Sequence, residues 1–257
     1  MQFPVTFHIF GRAVHPHLLL EILAYFVGFQ LYLLTRSRWK RAAVPFERNM
    51  WIIVGCVFGA LVGSKLLAFV ESFDHYRQHL HDPRAWVGGK TIVGGLLGGW
   101  AGVEVVKKSL GVRQSTGDAF VFPLIIGICI GRVGCFLTGL DDHTHGVHTA
   151  LPWAVDFGDG PRHPTQLYEI AFLLALAAVL LARARRPRPN GQLFRLFMLG
   201  YVAFRFFVEF IKPRYTPVAG LSAIQLACLA AGAVCVWQLA RRREILRPVD
   251  GRVLAGR

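Results

Sequence analysis

The sequence has few charged residues, and acidic ones are the scarcer kind. Asp, Glu, Lys and Arg make up 17% of the 257 residues, below the roughly 25% that is usual for soluble domains. The five cysteines, Cys56, Cys129, Cys135, Cys228 and Cys235, all lie in apolar runs and lack the spacing of disulfide frameworks or zinc motifs. The composition therefore argues against a soluble domain or a disulfide scaffold, and we expect the cysteines to pack as small core residues.

Apolar residues dominate instead. Hydrophobic residues account for 54% of the chain, and the mean hydropathy is +0.44. Several apolar runs of about 18–22 residues could cross a bilayer core of about 30 Å as helices. No cationic region precedes the first run, so we expect no cleavable signal peptide. We predict an all-α membrane protein, with 1–257 as a single polytopic domain and seven transmembrane helices at about 17–35, 50–70, 88–108, 117–139, 167–184, 193–211 and 219–240.

The net charge of +14 is distributed unevenly along the chain. In this topology 19 of the 29 Lys and Arg residues lie in loops on one side of the membrane, and six lie on the other. Loops rich in Lys and Arg stay in the cytoplasm. We therefore predict an external N-terminus, a cytoplasmic C-terminus and an external loop at 140–166 between helices 4 and 5. The same rule explains the basic charge without a nucleic-acid partner.

Apart from the charged residues at the helix ends next to the basic loops, seven charged residues lie within the predicted helices or at their mouths. With this orientation all of them fall in the outer half of the bilayer. We therefore predict one polar cavity in that half, lined by Glu21, Lys65, Lys90, Arg132, Glu169, Arg205 and Glu209.

Arg132 lies deep in an apolar run, flanked by Gly131 and Gly134. A guanidinium buried in hydrocarbon is costly and needs a partner or a function. The two glycines would allow backbone or a ligand to come close to this charge.

A second arginine lies on a polar helix face. Tyr201, Arg205 and Glu209 are spaced i, i+4 and i+8, which puts them on one face. This face is either a self-neutralising Arg205–Glu209 pair or a functional site, and Arg132 at similar depth favours the second. Two arginines in one cavity call for an anion, and a phosphate fits the guanidinium fork. We therefore predict a phospholipid partner.

Two other stretches carry candidate residues. The glycine pairs of the third helix, Gly94 and Gly95 among them, allow either tight helix packing or backbone contact with a ligand. The loop at 140–166 is rich in His and Asp, but its spacing matches no metal motif. We expect a solvated polar loop that could act as a lid, and we predict no metal or cofactor.

The loop ends in the sequence RHPTQLYE. His163 and Gln166 should lie outside the membrane, with Tyr168 and Glu169 at the mouth of the fifth helix. Thr165 is the expected N-cap of that helix.

The motifs GR-x-G-x-F, RHPTQLYE and Y-x3-R-x3-E, in this order, resemble the prolipoprotein diacylglyceryl transferase family over about residues 17–240. The resemblance implies transfer of the diacylglyceryl group of phosphatidylglycerol to the lipobox cysteine thiol of a prolipoprotein, with glycerol phosphate leaving. It also implies a multi-pass protein of the bacterial inner membrane, with phosphatidylglycerol and the prolipoprotein signal peptide as partners. By the resemblance Arg132 and Arg205 act in catalysis, positioned by Tyr201 and Glu209. The remaining candidates for substrate binding are Glu21, Lys65, Lys90, Gly94, Gly95, Gly131, Gly134, His163, Gln166, Tyr168 and Glu169.

The chain departs from the family pattern near these motifs. Val93 stands where the family usually has a histidine, and Cys135 and Thr138 replace two asparagines. Lys90, expected on the same helix face as Val93, could supply the missing polar group. The alternatives are Glu21 and the loop group Asp141, Asp142, His143 and His145. Since the intramembrane charges are retained despite their cost, an active, divergent transferase is favoured. The alternatives are a transferase for another acceptor or anionic lipid, and a non-catalytic lipid-binding homologue.

Overall fold

The structure is a computed structural model that describes residues 3–9, 12–14, 16–38, 44–79, 89–187, 189–213 and 220–245. Seven helices of 17 to 26 residues dominate these ranges. A short helix, α3, and three 3-10 turns, Gly117–Phe120, Gly139–Asp142 and Glu209–Ile211, join them. The helices are α1 Pro16–Arg38, α2 Phe46–Glu71, α3 Phe73–Gln78, α4 Ile92–Ser109, α5 Val121–Thr138, α6 Thr165–Ala184, α7 Gln192–Val208 and α8 Ala223–Ile245.

The described helices include five stretches that are long and apolar enough to cross a membrane: Pro16–Thr35, Phe46–Glu71, Gly117–Asp142, Thr165–Ala184 and Ala223–Arg241. The chain is therefore a multi-pass membrane protein built mainly of helices. The seven long helices lie close to the seven predicted positions. Helices α4 and α7 are the two that do not meet the same criteria, because α4 ends in a charged turn and α7 has 17 residues. Seven crossings, and the orientation, stay predictions.

The third long helix begins later than expected. Thr91 is the N-cap of α4, and its hydroxyl accepts a hydrogen bond from the Gly94 amide at 3.2 Å. Lys90 precedes this cap and is 60% exposed. The prediction that Lys90 lies within the helix, on one face with Val93, is therefore wrong. Residue 88, the first of the predicted span, lies outside the described ranges.

Helices α2 and α4 pack backbone to backbone. A Cβ on Gly98 would lie 2.2 Å from the Gly59 carbonyl oxygen, and one on Gly94 would lie 2.3 Å from that of Gly63. Only glycine allows such an approach. Helix packing therefore accounts for Gly94. Gly95 faces α2 at ordinary distances, with Ala60 and Ser64 3.8 Å from its would-be Cβ, and ligand contact at either glycine stays a prediction.

Two short antiparallel hairpins add strand structure that the sequence did not predict. Strand β1, Phe7–Ile9, pairs with β2, Arg12–Val14, and β3, Val155–Asp156, pairs with β4, Pro161–Arg162. The second hairpin folds the 140–166 loop over the end of α5, where buried Phe157 contacts the rings of Phe3 and Phe136. The expectation of a solvated polar loop is wrong in this respect, because the loop has an apolar anchor.

The apolar core lies between α5, α6, α7 and α8, with Val93 of α4 joining it. Tyr201 is fully buried at its edge. Four of the five cysteines are buried and Cys56 is half-buried, which confirms their expected packing positions. The core holds α5, α6 and α7 together at the level where their charged side chains meet.

Candidate functional site

Three helices bring charged side chains together around the carboxylate of Glu169. Its Oε2 atom lies 2.9 Å from Arg132 Nη2 on α5 and 3.4 Å from Arg205 Nη1 on α7. Its Oε1 atom accepts a hydrogen bond from the Tyr201 hydroxyl at 2.7 Å. Glu169, just after the first turn of α6, thus bridges the two arginines that the sequence singled out.

The bridge is buried. Arg132 is 4% exposed, Glu169 1% and Arg205 5%. Such charges are tolerated in an apolar interior only when they are paired. Glu209 supplies the second carboxylate, with its Oε2 atom 2.9 Å from Arg205 Nη2. The predicted Arg205–Glu209 pair therefore exists, but it belongs to a larger network and does not neutralise itself alone.

The two arginines keep donors beyond this network. A guanidinium has five N–H groups. Among the described residues, no acceptor bonds to the Nε atom of Arg132 or of Arg205, although both atoms are buried. A protein carboxylate thus occupies the place between the arginines where the sequence predicts an anion.

Lys212 adds a third cation that the sequence analysis missed. It directly follows the 3-10 turn Glu209–Ile211. The sequence predicts an outer loop at this position. Burial, with repulsion from Arg205 and Arg132, lowers the pKa of Lys212 to about 7. Only the three-dimensional proximity of the arginines reveals this residue, since hydropathy places it outside the helix.

The glycines beside Arg132 have different surroundings. A Cβ on Gly131 would meet no atom of the described residues within 4 Å, so among these residues the space is open. A Cβ on Gly134 would lie 3.3 Å from the Cα of His17 and 3.2 Å from Leu20 Cβ. Gly134 therefore brings α1 close to α5, and Gly131 leaves room next to the arginine.

A second polar group lies on the α1 side. Glu21 Oε1 is 3.2 Å from Lys90 Nζ and accepts a hydrogen bond from the Tyr25 hydroxyl at 3.4 Å. Glu21 Oε2 is 3.7 Å from His17 Nε2. Lys65, on α2, experiences repulsion from Lys90 and is therefore on the same side. Glu21, Lys65 and Lys90 thus form a second polar neighbourhood, on the α1 and α2 side of the site.

The RHPTQLYE segment joins the 140–166 loop to α6 and ends at Glu169. His163 Nδ1 and the Tyr168 hydroxyl are 3.1 Å apart, and Trp153 Nε1 donates to that hydroxyl at 2.8 Å. Gln166 Nε2 donates to Thr144 Oγ1 at 3.0 Å. His163 and Tyr168 therefore contact each other, whereas Gln166, which is buried, tethers α6 to the loop through Thr144, a residue that the sequence analysis missed.

The start of α6 differs from the expectation in one respect. Pro164 is the residue before the helix, and Thr165 is its first residue. Thr165 donates its hydroxyl hydrogen to the Thr144 carbonyl oxygen. The prediction of Thr165 as N-cap is wrong, because its side chain ties the helix to the loop and does not cap the helix.

The positions that depart from the family pattern have defined roles. Val93 is 1% exposed and packs in the apolar core. The Thr138 hydroxyl donates back to the Gly134 carbonyl oxygen at 2.9 Å within α5. Cys135 is different, since its Sγ atom is 3.8 Å from Arg132 Nη1. Of the three, only Cys135 contacts the charged network.

Comparison with known proteins gives one consistent family. A family model described as prolipoprotein diacylglyceryl transferase matches residues 4–241. Relatives named phosphatidylglycerol–prolipoprotein diacylglyceryl transferase include one from Methylococcus capsulatus, 34% identical over 84% of this chain and 83% of its own. One from Actinobacillus pleuropneumoniae is 32% identical over 93% of this chain and 95% of its own. No solved structure matches the chain.

Proposed function

The chain belongs to the prolipoprotein diacylglyceryl transferase family, and we propose that it transfers the diacylglyceryl group of phosphatidylglycerol to the lipobox cysteine of a prolipoprotein. The observation that carries the proposal is the pair of buried arginines held around Glu169. A pair of fixed guanidiniums suits a reaction that expels a phosphate. We place this reaction in the bacterial inner membrane.

The chemistry requires charge stabilisation at the leaving group. The acceptor thiolate attacks the glycerol carbon that bears the phosphate ester, a C–S bond forms, and the C–O bond breaks. The electron pair leaves with glycerol phosphate, and the thiol proton goes to solvent. Positive charge fixed in place before the reaction stabilises the developing negative charge without reorganisation.

Arg132 and Arg205 are the catalytic residues in this proposal. Their Nε groups, unbonded within the described structure, would bind the phosphate while Glu169 holds both side chains in place. Tyr201 fixes Glu169 and Glu209 fixes Arg205, as their hydrogen bonds at 2.7 and 2.9 Å indicate. Both are therefore positioning residues.

The surrounding residues would bind the rest of the two substrates. Gly131 leaves open space beside Arg132, which suits a lipid headgroup. His163, Gln166 and Tyr168 form the loop side of the site, where the signal peptide would enter. Glu21, Lys65 and Lys90 lie on the α1 and α2 side, and we assign them to lipid or peptide contacts.

The membrane arrangement is part of the proposal. Seven crossings, a periplasmic N-terminus, a cytoplasmic C-terminus and a periplasmic 140–166 loop would put the arginines in a polar cavity in the outer half of the bilayer. The support is the loop charge asymmetry.

Reconstitution with arginine variants tests the phosphate site. The purified chain, in vesicles containing phosphatidylglycerol, should add a diacylglyceryl mass to a lipobox peptide. Lysine keeps the charge but loses the guanidinium fork, so Arg132→Lys and Arg205→Lys should each slow transfer about 100-fold or more. The matched control is Arg113→Lys, an exposed arginine after α4. Wild-type rates in both site variants would contradict the proposal.

A transferase for a different acceptor or anionic lipid is the second candidate. The observation favouring it concerns Val93, which is buried in the apolar core. The family usually carries a histidine at this position. The same vesicles distinguish the two functions. Transfer to an alternative thiol or from another anionic lipid, with none from phosphatidylglycerol to the lipobox peptide, would favour the second.

A further inference from the structure

Three side chains with metal-binding atoms meet next to Arg132. His17 comes from α1, Cys135 from α5 and Asp142 from the 3-10 turn that follows α5. Their ligand-type atoms all lie within 4.8 Å of one another. Nothing in the proposed phosphate site uses them. Spacing along the sequence could not reveal the group, because it joins residues more than one hundred positions apart.

The backbone is shaped to bring these three side chains together. Gly134, the residue before Cys135, lets the Cα of His17 approach to 3.3 Å from where its Cβ would lie. Gly139, at φ 73°, opens the 3-10 turn that returns Asp142 towards the helix. The meeting of α1 with the end of α5 therefore depends on glycine at these two places.

Two of the three residues have polar partners on their outer side. His17 Nε2 is 3.7 Å from Glu21 Oε2, and Asp142 Oδ2 accepts a hydrogen bond from the Thr144 hydroxyl at 2.6 Å. A metal-bound histidine usually gives its other ring nitrogen to a carboxylate, and metal-bound carboxylates are usually hydrogen-bonded as well. The Asp142 contact thus matches that of a metal-bound carboxylate, and Glu21 lies at ion-pair distance from His17.

The inner ring nitrogen of His17 lacks such a partner. His17 Nδ1 is buried and makes no hydrogen bond within the described residues. It lies 3.4 Å from Asp142 Oδ1, close enough for charge interaction but without the alignment of a hydrogen bond. Tetrahedral zinc with bonds of 2.0–2.3 Å separates its ligand atoms by about 3.3–3.8 Å. The His17–Asp142 distance is already in this range, and small side-chain rotations would bring in Cys135.

We propose that His17 Nδ1, Cys135 Sγ and Asp142 Oδ1 bind a zinc ion. One nitrogen, one sulfur and one oxygen ligand suit this borderline cation. A thiolate and a carboxylate neutralise its two charges. The neighbouring Arg132 charge is taken up by Glu169 at 2.9 Å, and Arg132 Nη1 lies 3.8 Å from Cys135 Sγ.

Three protein ligands leave one coordination position for a substrate. This second step rests on the proposed function: the position receives the thiol of the acceptor cysteine, which loses its proton to solvent and becomes a zinc-bound thiolate. Its sulfur then forms the C–S bond described above, and zinc keeps its oxidation state. Arg132 contacts both Cys135 and Glu169. The acceptor thiolate and the departing phosphate would therefore lie on two sides of the same guanidinium.

Metal binding by the full chain tests the site without any measurement of activity. The purified protein in detergent is stripped with a chelator and dialysed against zinc, and separately against cobalt(II). We expect about one zinc ion per chain and a thiolate-to-cobalt charge-transfer band. Cys135→Ser and Asp142→Asn should lose the bound zinc, and Cys135→Ser should lose the band. The matched control is Cys56→Ser, a half-buried cysteine on α2, which should retain both.

A milder variant guards against loss of folding. Glu21→Gln keeps all three ligands and removes the negative charge next to His17 Nε2, together with the ion pair to Lys90, so zinc affinity should fall about 10–100-fold. Wild-type protein that binds no zinc, Cys135→Ser that retains the cobalt band, or unchanged affinity in Glu21→Gln would each overturn the site.

The acceptor step has its own spectroscopic test. A lipobox peptide with cysteine should change the cobalt spectrum, whereas the same peptide with serine should not. An unchanged spectrum would overturn the acceptor role and leave the metal site standing. A changed spectrum without transfer from phosphatidylglycerol would contradict the proposed function while supporting the metal site, so the two failures are distinguishable.

Discussion

Glu169 joins the two arginines through a single carboxylate, and burial makes each of these contacts energetically important. Removing one partner of a buried ion pair typically costs 3–5 kcal/mol, because the remaining charge stays unpaired. Arg132, Arg205 and Tyr201 all bond to this one residue. Glu169 therefore sets the separation and direction of the guanidiniums, and its role is to hold cations that would otherwise repel each other.

Lys212 leads to a prediction about pH. A lysine is charged below its pKa and neutral above it, so this group, with a pKa of about 7, loses its charge as pH rises through neutrality. Lys212→Arg stays charged throughout. The ratio of wild-type to Lys212→Arg transfer rates should therefore fall as pH rises above 7, by up to about tenfold per pH unit.

As pH rises, deprotonation of the acceptor thiol raises the transfer rates of both proteins. This effect cancels when the two rates are divided. Lys212→Met serves as control and should be slow at every pH, with no step near pH 7. A ratio that stays constant from acid to alkaline pH would show that Lys212 contributes no charge to the reaction.

At this scale the sequence identified most of the participants but not their contacts. Arg132 and Arg205 could be recognised because a charge in an apolar run is costly. Glu169 could be placed only at a helix mouth, since the distance between two helices cannot be read from one chain. Lys212 was missed because local hydropathy assigned it to a loop.

Helices α2 and α4 depend on small residues for their contact. Gly55, Gly59 and Gly63 face Gly102, Gly98 and Gly94, with carbonyl oxygens where side chains would otherwise lie. This contact fixes the start of α4, and with it Lys90 and Val93. Packing thus accounts for Gly94, Gly98 and Gly102, while ligand contact at Gly94 or Gly95 stays a prediction.

Two alanine substitutions one turn apart test this interface. Gly98→Ala would put a Cβ 2.2 Å from the Gly59 carbonyl oxygen, and overpacking of this kind costs about 1–3 kcal/mol. Gly95→Ala meets atoms only at 3.8 Å and should gain up to about 1 kcal/mol from helix propensity. Unfolding in detergent measures both. Equal stability of the two variants would contradict the proposed role of the contact.

Helix positions were largely predictable because long apolar runs determine them. The beginning of α4 was not, since Thr91 caps the helix and leaves Lys90 outside it. The two hairpins were missed because strands of two or three residues carry no alternating pattern that can be distinguished from a loop.

Across the whole molecule, the polar residues of separate helices form one connected path. It runs from Lys90 to Glu21 and His17, through Asp142 and Cys135, to Arg132. Glu169 then continues it to Arg205 and Glu209. The path runs from exposed Lys90 to the buried arginines, whose charges in an apolar interior indicate a functional site.

The most direct test of the central claim is complementation. The chain is expressed in a bacterium depleted of its own prolipoprotein diacylglyceryl transferase, and the mass of a maturing lipoprotein is measured. We predict a diacylglyceryl adduct on the lipobox cysteine, absent when Arg132→Lys is expressed at the same level. Membrane-inserted wild-type chain with only unmodified prolipoprotein would contradict the account.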